Sequence, residues 1–146
     1  MTRWIHAVIG STFSGASIGS IERPSEGNRK ETALVTLADG RRVVVQRSDD
    51  RETLRTETRL TREIGDRTTV PVPEVMADGS LDGRGYRVLE LIEGENLHGR
   101  FVALSDADRR KLARQFGRAL AEVHDAFEFD RFGPVVATDG GLSATG

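Results

Sequence analysis

The chain has 146 residues, a length typical of one ordinary domain that buries about two-thirds of its unfolded surface. It carries 21 Lys and Arg against 23 Asp and Glu, and the net charge of −2 provides no general attraction to nucleic acid. Cysteine is absent, which excludes disulfides and thiolate metal sites, and the N-terminal apolar run 4–9 is too short to span a membrane. The default expectation is a cytoplasmic protein with no membrane or nucleic-acid partner.

The first third of the chain predicts a small sheet behind a loose lead-in. Residues 1–15 mix polar and apolar types and end in a Ser/Gly-rich stretch, which indicates loose packing. Asp39-Gly40 is the strongest short-range hairpin signal in the chain. A loop rich in turn formers covers residues 24–30. Around these two connections the pattern predicts three strands, at residues 16–23, 32–37 and 42–47.

A helix and two further strands are predicted in the middle of the chain. The Ser-Asp-Asp run at 48–50 can cap a helix over residues 51–64, and Gly65 suits the position just past its end. The Val-Pro-Val-Pro run at 70–73 forces extended backbone. Two more strands are predicted around a turn at 78–85, one over residues 75–77 and one over 86–91.

The last third predicts one long helix and a frayed tail. A capping box beginning at Ser105 opens a helix that reaches about Ala126. Apolar residues recur on it at helical spacing, so one face of the 106–126 helix is apolar and is expected to cause self-association. Residues 135–146 are rich in Gly, Ser and Thr and are expected to fray.

In order and spacing, these elements resemble the N-terminal lobe of the aminoglycoside phosphotransferase-like group, which are kinase-fold enzymes that phosphorylate small molecules. The resemblance rests on the hairpin strand Val-Val-Val-Gln at 43–46, the acidic helix with Glu57, the run at 70–73 and the strand leading to Gly94. It implies an α+β fold with about five antiparallel strands, one packed helix and a long C-terminal helix. The implied parts are a nucleotide-binding lobe, a linker with the first large-lobe helix, and a tail: residues 1–95, 96–134 and 135–146.

The resemblance also implies a ligand and a reaction. Members of this group bind ATP or another nucleoside triphosphate with Mg²⁺ and transfer the γ-phosphoryl group to a hydroxyl of an aminoglycoside or choline-type molecule. Arg29 and Lys30, in the loop that would cover the phosphates, supply positive charge. The resemblance implies nucleotide contacts from the first strand to the family's hinge, which corresponds to the strand-to-linker segment 88–94. They are Ile18, Gly27, Asn28, Arg29, Val44, Gln46, Glu57, Leu89, Glu90 and Ile92.

Position 46 departs from the family pattern. The kinase strand ends in a lysine that bridges the phosphates and a glutamate on the next helix, here Glu57. Gln46 stands in its place and can donate a hydrogen bond but cannot neutralise charge. Strand alternation puts Val44 and Gln46 on one face and Arg47 on the other, so Arg47 replaces the lysine only if a bulge turns it inward. Both alternatives remain open at the level of the sequence.

The hinge is expected to read adenine through its backbone, with the Glu90 carbonyl as acceptor and the Ile92 N–H as donor, while Leu89 closes the back of the pocket. A catalytic loop is not recognised: His124 and Asp125 are adjacent, whereas a kinase loop has one residue between them and an asparagine further on. The expected set of catalytic residues is therefore empty.

Without a catalytic loop, the chain is expected to be inactive alone and to be a fragment or the product of a truncated gene. A small-molecule acceptor is then expected only for a longer form. The alternative is a non-enzymatic, kinase-like relic that binds a partner. A nucleic-acid binder is disfavoured because the sequence shows no basic stripe with interleaved aromatic residues.

Overall fold

A computed structural model describes residues 2–24 and 30–146, and within them no helix is long and apolar enough to cross a membrane. Its centre is an antiparallel sheet with the strand order β1-β2-β3-β5-β4. The α+β class and the five-stranded antiparallel sheet expected from the sequence are confirmed. The strands are β1 (Ile18–Glu22), β2 (Glu31–Leu37), β3 (Arg42–Ser48), β4 (Val75–Leu81) and β5 (Arg84–Glu90).

One face of the sheet is covered by helix α1 (Arg3–Thr12). Its four buried side chains join those of the strands in the main hydrophobic core, so we call this side of the sheet the α1 face. The expectation of a loosely packed lead-in is wrong here, because burying these side chains outweighs the weak helix signals of the segment. The four buried residues of α1 are Trp4, Ile5, Val8 and Ile9.

The opposite side, the α2 face, is covered by helix α2 (Arg51–Arg67). Asp50 caps it by accepting a hydrogen bond from the Thr53 N–H at 3.0 Å. The helix runs past Gly65 to Arg67, contrary to the expected end at 64, because its hydrogen bonding continues to the Thr68 N–H, which donates to the Ile64 carbonyl; Gly65 instead makes room for Val72. A Cβ at Gly65 would lie 3.1 Å from the Val72 side chain.

The β4–β5 hairpin is tighter than expected. Its strands meet at Asp82-Gly83, where both residues have positive φ, 50° and 79°. This is the geometry of a two-residue turn whose twist matches the flanking strands. The predicted turn at 78–85 is therefore wrong in its bounds, and the strand before it extends to Leu81.

The linker after β5 contains a short helix α3 (Leu97–Arg100) and one 3₁₀ turn, followed by helix α4 (Asp106–Ala126). Ser105 accepts a hydrogen bond from the Asp108 N–H at 3.1 Å, which confirms the predicted cap. The C-terminal part of α4 contacts the segment that follows α2: the Thr69 hydroxyl donates to Glu122 at 2.8 Å. Along its length α4 has no buried residue.

The last residues form a hairpin of β6 (Val135–Thr138) and β7 (Gly141–Ala144) rather than a frayed tail. The hairpin packs on α2, where the Ala137 N–H donates to the Thr56 hydroxyl at 3.0 Å. The Gly- and Ser-rich composition concealed this, because these residues carry little intrinsic preference for a strand and the packing on α2 is a contact between distant parts of the chain.

Candidate functional site

Strand β3 sends alternate side chains to the two faces of the sheet. Val43 and Val45 are 1% and 0% exposed in the core of the α1 face. Val44 and Gln46 belong to the α2 face, where Gln46 is hydrogen-bonded to Arg87 of β5. The alternation predicted from the sequence is therefore present without a bulge in this strand.

A row of polar side chains crosses four strands on the α2 face. It follows the strand pairing, since Thr32 pairs with Gln46, Gln46 with Arg87, and Arg87 with Asp78. Gln46 donates to the Thr32 hydroxyl at 3.3 Å and accepts from Arg87 Nε at 2.8 Å. We call these four residues the polar row.

Helix α2 adds charges above the polar row. The ammonium group of Lys30 forms an ion pair with Glu57 Oε2, and the same oxygen lies 3.4 Å from Arg87 Nη2. Five residues further along α2, Arg62 binds Asp78 at 2.7 Å. Burial lowers the pKa of the Arg87 guanidinium from its ordinary value, and the negative charge of Glu57 opposes that shift. Arginine remains charged under these conditions, so Glu57 is shared by two cations.

Beside the polar row lies an apolar patch. It is made by residues two positions away on three of the same strands, which therefore lie on the same face of the sheet. Leu34 pairs with Val44, and Val44 pairs with Leu89. Leu34 and Val44 are partly buried and Leu89 is buried. On the α2 face an apolar patch thus adjoins a charged cluster, an arrangement suited to a flat apolar ring bearing an anionic chain.

Arg47 lies on the α1 face, away from this arrangement. Its guanidinium binds Glu31 at 2.9 Å and stacks on Trp4, 4.5 Å from the ring centroid. Partial burial acts to raise the pKa of Glu31, but the hydrogen bond and charge of Arg47, with Arg84 and Arg23 nearby, hold that pKa below its ordinary value. Arg47 is therefore committed to an ion pair on the other side of the sheet.

The remaining predicted contacts are dispersed. Ile18 packs against the core of the α1 face rather than beside Val44. Glu90 uses its side chain to accept from the Glu74 N–H at 3.0 Å, which ties the extended linker to the end of β5. Ile92 lies just beyond β5 and is 58% exposed. The predicted loop contacts Gly27, Asn28 and Arg29 lie outside the described residues.

The described residues also bear on the metal that the resemblance implies. Among residues 2–24 and 30–146, no group of three or more His, Asp or Glu side chains is placed to hold a metal ion.

Sequence reasoning missed two residues of this face, Leu34 and Arg87. A signal for Arg87 existed in the sequence. It is a charged residue directly before the apolar pair Val88-Leu89, and strand alternation places it on the same face of the sheet as Leu89. A buried charge requires a partner, and Glu57 is the carboxylate that supplies it.

Three comparisons place these features among known proteins. A family model described as "Phosphotransferase enzyme family" matches residues 20–139. A comparison with curated proteins gave no match.

Solved structures share the fold at low sequence identity. Aminoglycoside phosphotransferase APH(4)-Ia superposes with a TM-score of 0.69 and 14% identity, over 99% of this chain and 46% of that one. A thermostable mutant of APH(4)-Ia in ternary complex with AMP-PNP and hygromycin B gives 0.62 and 16%, over 96% and 45%. A protein assigned as a fructosamine-3-kinase, from Haemophilus somnus 129PT, gives 0.59 and 19%, over 92% and 45%.

The chain thus spans less than half the length of these similar structures. The family match covers most of the sequence. The expected resemblance is confirmed: the chain belongs to the phosphotransferase enzyme family.

Proposed function

We propose that this chain is the nucleotide-binding portion of a phosphotransferase that moves the γ-phosphoryl group of ATP to a hydroxyl of a small molecule of the aminoglycoside or choline type. The observation that carries the proposal is the α2 face, where the patch of Leu34, Val44 and Leu89 adjoins the cations at Glu57. The patch fits adenine and the charged cluster fits the phosphates. A related structure binds AMP-PNP, in line with such a site.

The hinge completes the proposed adenine site. Adenine would lie against Val44, with the backbone at Glu90 and Ile92 alongside its edge. The magnesium that the resemblance implies would be bound largely by the nucleotide phosphates, as is usual for this ion. When bound, the ion would neutralise charge on the β- and γ-phosphates.

Calorimetry tests the nucleotide site. The 146-residue chain is expected to bind ATP and AMP-PNP, and Val44→Phe is expected to weaken both because the larger ring occupies the place of adenine. Met76→Phe is a matched control, since Met76 is exposed on the edge strand β4. The proposal fails if the folded parent chain binds neither nucleotide, or if Val44→Phe binds as well as the parent.

Phosphoryl transfer is expected to need more than these 146 residues. Their only His-Asp pair, at 124 and 125, lacks the spacing of a kinase catalytic loop. The purified chain, incubated with ATP, Mg²⁺ and a panel of aminoglycosides and amino alcohols, should show no turnover. Phosphorylated product whose formation follows the chain through successive purification steps would contradict this.

A partner-binding role is the second candidate, and the apolar face of α4 favours it. Phe116 and Leu120 belong to the apolar stripe from which self-association is expected, and they are 71% and 45% exposed. In the isolated chain a second copy would cover them. Sedimentation at rising concentration should show association that Phe116→Gln reduces and Arg114→Gln does not. A parent chain that stays monomeric throughout would remove this candidate.

A further inference from the structure

The charged cluster on the α2 face carries an excess of positive charge. Among the residues that the structure describes, three cations, Lys30, Arg62 and Arg87, meet two carboxylates, Glu57 and Asp78. Arg62 and Asp78 form a separate pair at 2.7 Å. The two remaining cations therefore share the single charge of Glu57, and both contact the same atom, Oε2.

The two cations at Glu57 differ in their freedom to leave it. The Arg87 side chain is 9% exposed, lies in the middle of a buried strand and is fixed by its 2.8 Å hydrogen bond to Gln46 Oε1. The Lys30 side chain is 28% exposed and stands at the start of β2. Its single ammonium group ends a flexible four-carbon stem, so it can turn from one anion to another.

Arg87 makes such a turn inexpensive. When Lys30 leaves Glu57, the carboxylate, whose side chain is 39% exposed, keeps its contact with solvent and the Arg87 guanidinium at 3.4 Å. The arrangement thus contains one fixed cation that neutralises Glu57 and one mobile cation that is in excess. Gln46, in the position of the family lysine, serves to orient the fixed cation.

We propose that Lys30, and no residue of β3, is the cation that binds the phosphates of the nucleotide, and that Arg87 is a positioning residue that frees it by holding Glu57. This inference rests on the proposed nucleotide site. It moves the phosphate-binding charge from the central strand of the sheet to the start of β2.

Lysine content allows a direct test of Lys30. The chain has only two lysines, and the second, Lys111, is exposed on α4. Limited acetylation followed by peptide mass spectrometry should show that ATP protects Lys30 while Lys111 reacts as before. Adenosine, which lacks phosphates, should protect neither. Equal acetylation of Lys30 with and without bound ATP would overturn the proposal.

Affinity measurements separate a phosphate contact from a structural role. Lys30→Gln should weaken ATP binding about tenfold or more, the value of a charge-assisted contact, and leave adenosine binding close to that of the parent. Lys30→Arg should restore much of the ATP affinity, and Lys111→Gln should change nothing. Equal weakening of ATP and adenosine would show that Lys30 acts only on the fold, and the proposal would be wrong.

The parent chain distinguishes the two levels of failure. If it binds ATP and Lys30→Gln binds ATP equally well, the role of Lys30 is refuted and the nucleotide site stands. If it binds neither ATP nor adenosine, the nucleotide site itself is refuted and the role of Lys30 falls with it.

Discussion

The α1 face and the α2 face of the sheet use alternate residues of the same strands, yet they bury different chemistry. Under α1 the strands contribute aliphatic side chains that are almost fully enclosed, such as Val43 and Val45. Under α2 they contribute the polar row and a partly open apolar patch. The first face gains stability from area removed from water. The second gives up part of that gain by keeping charges and open apolar surface, as binding sites commonly do.

The largest effect should come from breaking the α1 face. Ile5→Ala removes a fully buried side chain between α1 and the sheet and should lower the free energy of unfolding by about 2–5 kcal/mol. His6→Ala, on the exposed side of the same helix, is the control and should change it little. Urea unfolding measures both variants. Equal stabilities would mean that α1 is not part of the cooperative unit.

Neighbouring valines of β3 compare the two faces within one strand. Val45→Ala should cost about 2 kcal/mol of unfolding free energy because its site is closed, with 0% exposure. Val44→Ala should cost less than half as much, since its site is already partly open, but should weaken nucleotide binding. Denaturant unfolding and ATP titration on both variants give the comparison. It fails if Val44→Ala is the more destabilising change.

A charge exchange tests the polar row. Gln46→Lys removes the acceptor of Arg87 and adds a like charge beside it, so the free energy of unfolding should fall by about 1 kcal/mol. Adding Arg87→Gln should recover most of that loss, because one cation and one amide are again paired across β3 and β5. A complete double-mutant cycle in urea measures the coupling. Simple additivity of the two changes would show that the residues act independently.

The smallest effect concerns Glu31 on the α1 face. Its pKa in the folded chain lies below the ordinary value of 4.5, so its contribution is present above that pH and disappears as the pH falls through the lower value. Glu31→Gln should therefore be less stable than the parent at pH 7, by less than about 1 kcal/mol because the carboxylate is 41% exposed.

The pH course provides the check on Glu31. The difference in stability between parent and variant should shrink in acid, as measured by thermal unfolding from pH 7 to pH 3. Glu22→Gln, an exposed change on β1, serves as the control. A difference between parent and Glu31→Gln that grows in acid would contradict the assigned role of the Arg47 pair.

Much of the fold could be predicted because turns and helix caps are encoded by local sequence signals. The Asp39-Gly40 turn and the cap at Ser105 each depend on a few consecutive residues, and both are found as expected. The site was harder to predict. Arg87 meets its partners Gln46 and Glu57 across 41 and 30 residues of sequence. Strand pairing brings Gln46 to Arg87, and the packing of α2 on the sheet brings Glu57. Helix α1 was missed for a similar reason, since its value lies in the sheet it covers.

The hydrogen bond between Thr56 and the β6–β7 hairpin affects the direction in which the side chain of the neighbouring Glu57 points. Successive residues of an α-helix point about 100° apart around its axis, so the side chains of Thr56 and Glu57 leave α2 in two different directions. The first is held by the Ala137 N–H and the second by the cations over the sheet. The hairpin therefore helps to fix the rotation of α2 about its own axis, and with it the direction in which Glu57 points over the α2 face.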